Sequence, residues 1–163
     1  MDEVAVRRAG PDEVDALEAL YRALHAHHLE IAQVPLVDDP DTSWQHRREW
    51  YAEKLEQGAL LWIAERAGRP VGYALVELHQ GPDDTWPVGD RYAELVSLSV
   101  EPGGRGQGIG GRMMDAVEEE LEAAGIDDLM VGVLAGNEAA VRFYSRRGLA
   151  TGELIMWRFG SRA

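Results

Sequence analysis

The clearest chemical signal in the sequence is a group of six glycines that lie within nine positions and flank an arginine. They are Gly103, Gly104, Gly106, Gly108, Gly110 and Gly111. Because glycine has no Cβ, it allows a positive φ and lets a ligand approach the backbone closely. Successive N–H groups can then point at one anion, and a helix that begins there adds the positive end of its dipole. The group therefore predicts a loop that binds the pyrophosphate of a phosphorylated cofactor.

Other structures also use glycine between a strand and a helix. A Pro-Gly-Gly turn at 102–104 could simply join the two elements, although such a turn does not require six glycines. Gly106, Gly108 and Gly111 match the Gly-x-Gly-x-x-Gly pattern of dinucleotide-binding folds, but residues 101–105 separate them from the preceding strand. The P-loop pattern needs a Gly-Lys-Ser or Gly-Lys-Thr, which this sequence lacks. The glycines therefore favour a third kind of phosphate-binding loop.

Three linked segments carry a family resemblance. Arg105-x-x-Gly108-x-Gly110 resembles the acyl-CoA loop of the Gcn5-related N-acetyltransferase (GNAT) family. The strand-like segment 92–102 and the segment 137–148, Asn-Glu-Ala-Ala-Val-Arg-Phe-Tyr-Ser-Arg-Arg-Gly, flank this loop in the family's order and spacing. The resemblance implies the GNAT acyl-CoA N-acyltransferase fold, which is of the α/β (α+β) class. We expect one domain over residues 1–163, with a mixed, mostly antiparallel sheet of about six to seven strands and four helices. Two parallel strands are expected to splay apart at the CoA site.

The resemblance also implies how acetyl-CoA binds as co-substrate. The backbone of Leu98, Ser99 and Val100 would pair with the pantetheine arm as an added strand does. The backbone N–H groups of the loop would hold the pyrophosphate. The predicted loop residues are Arg105, Gly106, Gln107, Gly108, Ile109 and Gly110. Asn137 could cap the helix that it precedes and, by resemblance, also contact the cofactor. No metal is expected.

Tyr144 is the predicted general acid and a predicted cofactor contact. It lies two turns after Asn137 on nearly the same helix face. A tyrosine with a pKa of about 10 stays protonated at neutral pH and can protonate a departing thiolate. The alternative is that Phe143 and Tyr144 only anchor their helix to the core, as aromatic residues at this spacing often do.

Glu94 is the predicted general base. On a strict period of two it shares a strand face with Tyr92, Val96 and Leu98, which would place a carboxylate on an otherwise apolar side. It could then take a proton from an ammonium acceptor directly or through water. The alternatives are a solvent-facing residue at the entry of the strand, or a change of parity at the bulge that the family resemblance implies here.

The mechanism that these residues predict is direct transfer of the acetyl group. A neutral amine would attack the acetyl carbonyl, which a backbone N–H near Val100 would polarise. The CoA thiolate would then leave with a proton from Tyr144. No covalent enzyme intermediate is needed. Ser97 or Ser99 could in principle act as a nucleophile, but neither has a histidine nearby in the sequence, and activation needs one nearby in space.

The rest of the chain predicts the elements that must hold these residues, in the order β-α-α-β-β-β-α-β-α-β. A proline at the first helical position, apolar residues at helical spacing and branched, alternating runs carry this prediction. The predicted strands are 4–8, 59–65, 70–79, 92–100, 128–134 and 154–159, and the predicted helices are 11–28, 41–57, 110–124 and 137–147.

Composition limits the classes of partner. The formal net charge of −13 argues against a nucleic-acid partner and would attract a cationic acceptor, although acidity could serve solubility alone. The lack of cysteine excludes disulfides, thiolate metal sites and a cysteine nucleophile. The sequence shows no signal-peptide core and no apolar run near the ~20 residues of a membrane span. We therefore expect a cytoplasmic protein with no membrane partner.

The acceptor is expected to be a primary amine, in a small molecule, an amino acid, or the N-terminus or a lysine of a peptide. Its selection should fall to the first two helices and the loop 81–90. This part of the chain is rich in rings, namely His25, His27, His28, Trp44, His46, Trp50 and Tyr51. A metal site is not expected there, because only His25 and His28 have suitable spacing and no carboxylate set accompanies them.

Readings from other classes stay open. The chain could be a non-catalytic acyl-CoA-binding sensor, in which Glu94 and Tyr144 are structural. It could instead be a structural subunit whose loop binds another anion. A toxin-type acetyltransferase acting on charged tRNA also fits the motifs. The net negative charge argues against it, because a surface that binds tRNA should be basic. The C-terminal strand or the exposed helix faces could support a homodimer.

Overall fold

The computed structural model describes residues 2–162 and contains one sheet with four α-helices, in the order β-α-α-β-β-β-α-β-α. The strands are β1 (Val4–Ala9), β2 (Leu60–Arg66), β3 (Arg69–Gln80), β4 (Arg91–Val100) and β5 (Leu129–Val131). The α-helices are α1 (Glu18–Ile31), α2 (Pro40–Glu56), α3 (Ile109–Ala123) and α4 (Glu138–Arg146). Two 3₁₀ segments, Pro11–Leu17 and Pro102–Gly104, precede α1 and the glycine loop. None of the helices within residues 2–162 combines the length and the apolarity needed to cross a bilayer.

The sheet is mixed and mostly antiparallel, as predicted. Its strands follow the chain order β1-β2-β3-β4-β5, and only the last pair, β4 and β5, is parallel. That pair is short, because β5 meets β4 only from Ala93 to Leu95, whereas β4 continues to Val100. The two strands therefore separate after Leu95, and the edge of β4 that follows is left unpaired with β5. This confirms the predicted splay.

A bulge in β4 changes which way its residues face. Leu75 lies opposite Ser97 and Val76 lies opposite Leu95, so Val96 is an extra residue in β4. Before the bulge, Leu95 packs in the cluster that contains α3. After it, Ser97 and Ser99 point the other way, towards α2 and α1.

Because of the bulge, Glu94 does not share a strand face with all the residues that were predicted to lie beside it. Glu94 and Val96 line a cleft beside α1 and α2, whereas Leu98 packs in the clusters on the α3 side of the sheet. The three residues were predicted to share one face, which would require an unbroken alternation along β4. The extra residue at Val96 shifts the alternation by one position, so the prediction is wrong for Leu98.

Two apolar layers cover the sheet. One contains α1, α2 and the first 3₁₀ segment, with Tyr21, Tyr51 and Tyr73 at its centre. The other contains α3 and α4, with Met114, Val117, Leu121 and Tyr144 among its members. The amphipathic pattern of α3 accounts for this placement, because its apolar residues recur at helical spacing. The cleft described below lies between the first layer and the splayed strands.

The predicted final strand at 154–159 is wrong. Within residues 2–162 this segment forms no strand, and its apolar side chains point into solvent, with Leu154 85% and Met156 91% exposed. A strand needs a partner for its backbone groups, and no strand in the described part of the chain pairs with this segment. Among residues 2–162 the sheet therefore has five strands rather than about six to seven.

The predicted first helix, 11–28, is a 3₁₀ segment up to Leu17 and an α-helix only from Glu18, and the strand predicted at 128–134 is limited to Leu129–Val131. The other strands and helices lie within a few residues of their predicted bounds.

Candidate active site

A cleft opens where β4 and β5 separate, and helices α1 and α2 form its other wall. It consists of two adjoining cavities of about 460 and 420 Å³. The residues common to both cavities are Tyr21, Val37, Ser43, Arg47, Leu95, Val96 and Gly132. The first cavity reaches Glu94, and the second extends to Asn137 and Tyr144. The predicted acid and the predicted base therefore lie on one continuous cleft, on opposite sides of its shared part.

The glycine loop has the backbone that the sequence predicted. Gly106 and Gly108 have φ values of 75° and 79°, in the left-handed region that glycine tolerates. Gly108 directly precedes α3, and its carbonyl accepts from the Arg112 N–H at 3.0 Å to close the first turn. The N–H groups at the start of a helix have no acceptor within it. Those of Ile109 and Gly110 are therefore available to an anion.

The side chains of two predicted loop residues make contacts within the protein. The Gln107 amide donates to the Gly103 carbonyl at 2.9 Å and accepts from Arg66 at 2.8 Å. The Ile109 side chain is buried against Val71 and Met113. Both residues can therefore offer a ligand only their backbone groups, whereas Arg105 is exposed and its side chain is free of such packing.

The three β4 residues that were predicted to pair with the pantetheine arm, Leu98, Ser99 and Val100, have different surroundings. Leu98 lines the second cavity, opposite Val133 and Leu134 on the β5 side. The Ser99 hydroxyl is buried and donates to the Leu20 carbonyl at 3.2 Å. Val100 packs in the cluster below the glycine loop. The side chains of Ser99 and Val100 thus face the protein, which leaves their backbone edge as the part that could pair with a ligand.

Asn137 caps α4, as predicted. Its side-chain oxygen accepts from the Ala140 N–H at 3.2 Å, and the residue also lines the second cavity. The amide NH₂ is the part of this side chain that the cap does not use.

Replacing Asn137 separates these two roles. Asn137→Ala is expected to lower the free energy of unfolding by about 1 kcal/mol because it removes the cap, whereas Asn137→Asp keeps a capping oxygen and the stability. Both variants lose the amide NH₂. If Asn137 also contacts the cofactor, both should weaken acetyl-CoA binding in calorimetry. Unchanged binding by the folded Asn137→Asp variant would leave Asn137 with the cap alone.

Tyr144 packs in the core and also lines the cleft. Its ring makes an edge contact with Phe143 at a centroid distance of 5.1 Å, and the residue is only 9% exposed. Three residues later, Arg147 forms ion pairs with Asp115 at 2.6 Å and Glu118 at 2.8 Å, and these pairs fix the end of α4 against α3. Burial raises the pKa of Tyr144 to about 12. The hydroxyl therefore stays protonated at all physiological pH values, as a general acid requires.

Glu94 belongs to a polar cluster rather than to an apolar face. His79 Nε2 lies 2.8 Å from Glu94 Oε2, and the Tyr92 ring stacks on His79 at 5.1 Å. Glu77 lies opposite Glu94 in the sheet and accepts from Lys54 Nζ at 2.7 Å. The expectation of an otherwise apolar side is therefore wrong, because adjacent β3 contributes a carboxylate and an imidazole at the same level. Glu94 is 31% exposed, so it is neither buried nor simply in solvent.

The side chains of this cluster also resemble a set of metal ligands. Glu77, His79 and Glu94 offer three atoms within 4.8 Å of one another. However, Lys54 already supplies a positive charge beside Glu77. We therefore interpret the cluster as a hydrogen-bonded network around Glu94.

Helices α1 and α2 line the cleft, as predicted for acceptor selection, but many of their rings serve the core. Trp44 and Tyr51 are buried, whereas Trp50 and His46 line the first cavity. The loop 81–90, which was expected to contribute, lines neither cavity.

The histidines of the second cavity are held in their neutral form. Tyr21 and Ser43 share a hydrogen bond of 2.7 Å, and Ser43 lies 3.3 Å from His25 Nδ1. Burial lowers the pKa of His25 and lowers that of His28 to about 4. This wall of the cleft therefore carries little positive charge from histidine.

Sequence reasoning missed Arg47, which lines both cavities, and His79, which contacts Glu94. His79 could be found only with the register of β3 and β4, which the sequence does not supply. Arg47 left a weak signal, because it lies three positions after Trp44 and four before Tyr51, on the same side of α2.

Comparison with known proteins agrees with this geometry. Residues 17–149 match the acetyltransferase (GNAT) family, and the chain belongs to this family. The mycothiol acetyltransferase of Streptomyces avermitilis is 32% identical over 159 residues, which is 96% of this chain and 46% of the relative. That of Streptomyces coelicolor is 30% identical over 157 residues, or 95% of this chain and 46% of the relative. The chain thus spans about half the length of these curated relatives.

Solved structures show the same fold. A GCN5-related N-acetyltransferase from Ralstonia eutropha superposes with a TM-score of 0.77 at 19% identity, over 96% of this chain and 99% of that one. An aminoglycoside N-acetyltransferase in complex with CoA gives a TM-score of 0.72 at 15% identity, over 100% and 97% of the two chains. The predicted family and fold class are therefore confirmed.

Proposed function

We propose that this chain is an acetyl-CoA-dependent N-acetyltransferase that transfers the acetyl group directly to a primary amine. The observation that carries the proposal is the single cleft, on which Tyr144 and Glu94 flank a shared centre beside the splayed strands. The family match supports it, as do curated relatives named acetyltransferases. A structural neighbour from Clostridium acetobutylicum is described as a predicted acetyltransferase with acetyl-CoA, which supports acetyl-CoA as the co-substrate.

The cofactor would enter from the glycine loop. Its pyrophosphate would accept from the N–H groups of residues 105–110, and its pantetheine arm would take the strand position that β5 leaves empty beside β4. The thioester would then lie near the shared part of the cleft, between Tyr144 and the bulge at Val96. Asn137 would contact the arm through its amide NH₂.

The amine would approach from the first cavity. Glu94, held by His79, would accept a proton from the ammonium form directly or through water. The neutral nitrogen would then attack the acetyl carbonyl, forming the C–N bond, and its extra proton would pass to water as the tetrahedral adduct collapses and the C–S bond breaks. Tyr144 would give its hydroxyl proton to the departing thiolate and regain one from solvent. A free N–H is expected at the bulge, because the extra residue of a bulge is left out of the ladder. We therefore propose that Val96, rather than Val100, polarises the carbonyl.

Replacing Tyr144 with phenylalanine tests the acid. Tyr144→Phe is expected to lower kcat by about 10- to 100-fold, because the leaving thiolate loses its proton donor. The acetyl-CoA Kd should change by less than about twofold, since the ring and its packing remain. Thiol release at saturating acetyl-CoA measures kcat, and calorimetry measures Kd. An unchanged kcat would show that the thiolate leaves without help from Tyr144.

The proposal as a whole is tested by two measurements on one preparation. Calorimetry measures acetyl-CoA binding, and thiol release is followed with small amines, amino acids, N-terminal peptides and an aminoglycoside. Binding with turnover supports the enzyme. Binding without turnover on any of these acceptors would favour the acyl-CoA sensor, and no binding would overturn the interpretation of the glycine loop.

The net charge of −13 supports an acceptor whose amino group approaches as an ammonium group. The exposed apolar residues Leu154, Met156 and Trp157 support a homodimer, which sedimentation would test. A cytoplasmic location is consistent with the use of acetyl-CoA and would be tested by cell fractionation.

A further inference from the structure

We propose that Arg47 binds an anionic group on the acceptor, so that the acceptor is a zwitterionic amine of the α-amino acid type. This inference rests on the proposed function and deepens it, because it concerns the substrate class of the same cleft. It follows from the position of Arg47, its aromatic surroundings and its relation to Glu94.

Arg47 projects from α2 into the shared part of the cleft, and its guanidinium is held by rings. Its guanidinium carbon lies 5.2 Å from the centre of the Tyr21 ring, 5.3 Å from that of Trp50 and 5.5 Å from that of Tyr51. Cation–π contacts of this length help to fix an arginine through the ring faces, and a hydrogen bond with Tyr51 uses only part of the N–H donors of Arg47. The guanidinium is therefore positioned before any ligand arrives.

No ion pair among residues 2–162 includes Arg47, although other arginines of α1 and α2 do form ion pairs. Arg22 on α1 pairs with Asp41, and Arg48, the next residue of α2, pairs with Asp15. Arg47 is half-buried and lines both cavities. An arginine presents five N–H donors in a planar fork that matches a carboxylate. A half-buried guanidinium with this capacity, facing an open cleft, fits an anionic ligand.

Glu94 lies in the same cavity as Arg47, and the two do not form an ion pair with each other. Under the proposed function, the amine of the acceptor lies at Glu94. An acceptor that also carries a carboxylate would then satisfy both charges, with its ammonium towards Glu94 and its carboxylate towards Arg47. A diamine would instead place a second cation against Arg47. A zwitterion also has no net charge, so the field of a protein with a net charge of −13 does not repel it.

The test compares α-amino acids with their own α-amides. Each amide keeps the amine, the side chain and the chirality but lacks the carboxylate. For the best amino acid found, the ratio of kcat/KM for the acid to kcat/KM for its amide is measured by thiol release in the full chain and in Arg47→Gln. The proposal predicts that the substitution lowers this ratio by about 10- to 100-fold, as expected for loss of a charged, bidentate hydrogen bond. Arg47→Lys should retain part of the preference.

The ratio does not depend on how much of the variant is folded, because both acceptors are tested on the same preparation. An unchanged ratio in Arg47→Gln would overturn the proposal. So would a raised acetyl-CoA Kd with an unchanged ratio, which would assign Arg47 to the cofactor. If amides and other amines are acetylated but no amino acid is, the anion site is wrong while the acetyltransferase stands. If nothing is acetylated and acetyl-CoA does not bind, it is the proposed function that has failed.

Discussion

Replacing Glu94 with glutamine is expected to lower kcat/KM for the amine by about 100- to 1000-fold, the range usual for loss of a general base. Glutamine has nearly the same shape, and its amide can still bond to His79, which lies 2.8 Å from the carboxylate. It cannot accept a proton from the ammonium group. The acetyl-CoA Kd should stay within about twofold, because Glu94 lies in the cavity away from Asn137 and Tyr144.

The pH profile of kcat/KM gives a second readout for Glu94. A base must be deprotonated to act, so the activity of the unmodified enzyme should fall as the pH is lowered. The Glu94→Gln variant should show a different profile, in which activity follows the fraction of neutral amine, because no side chain then takes the proton from the ammonium group. Glu77→Gln is the matched control, because Glu77 lies directly opposite in the sheet and is paired with Lys54. It should keep the profile of the unmodified enzyme and change kcat/KM by less than about threefold. If Glu94→Gln also kept that profile, His79 would become the leading candidate for the base.

Replacing Gly108 with valine is expected to weaken acetyl-CoA binding by at least about 100-fold, since several charged hydrogen bonds depend on the loop. Gly108 has a φ of 79°, and a side chain disfavours this region by about 1–2 kcal/mol. The β-branched valine would push the loop towards another conformation and turn its N–H groups away from a common point. Calorimetry with acetyl-CoA measures the loss.

The fold should survive this substitution, because a Cβ at Gly108 would meet no atom within 4 Å. Thermal unfolding checks that. Gly103→Ala is the control, since Gly103 lies in the same loop, has equal space and has no positive φ. It should bind acetyl-CoA within about threefold of the unmodified chain. Retained affinity in Gly108→Val would show that the loop does not hold the pyrophosphate.

Local patterns in the sequence were enough to predict the glycine loop and the helices. The positive φ of Gly106 and Gly108, the cap at Asn137 and the apolar face of α3 each depend on residues close together in the chain. The family resemblance added the parallel pair β4 and β5 and their separation. These predictions were correct because they depend on residues close together in the chain or on the order of the motifs, and not on a segment far away in the sequence.

The errors arose where distant segments meet. The surroundings of Glu94 depend on β3, which brings Glu77 and His79 to the same level and thereby makes a polar cluster from a strand face that looked apolar. The segment 154–159 has the alternation of a strand, but alternation describes only how a strand would pack once it had a neighbour. The role proposed for Arg47 depends on rings that two helices bring around it. None of these pairings can be derived from the spacing of residues in one chain.

The extra residue at Val96 also constrains how β4 can change its length. It divides the strand into two stretches of opposite phase, with Glu94 in the first and Ser97 and Ser99 in the second. Loss of Val96 would leave an unbroken alternation in which Ser97 and Ser99 still face α2 and α1 and Leu98 still faces α3, because Ser97 would then directly follow Leu95 on the opposite face. The same loss would close the break in the ladder and remove the free N–H that is proposed to polarise the acetyl carbonyl. The two layers of the core therefore do not need the extra residue, whereas the proposed chemistry does.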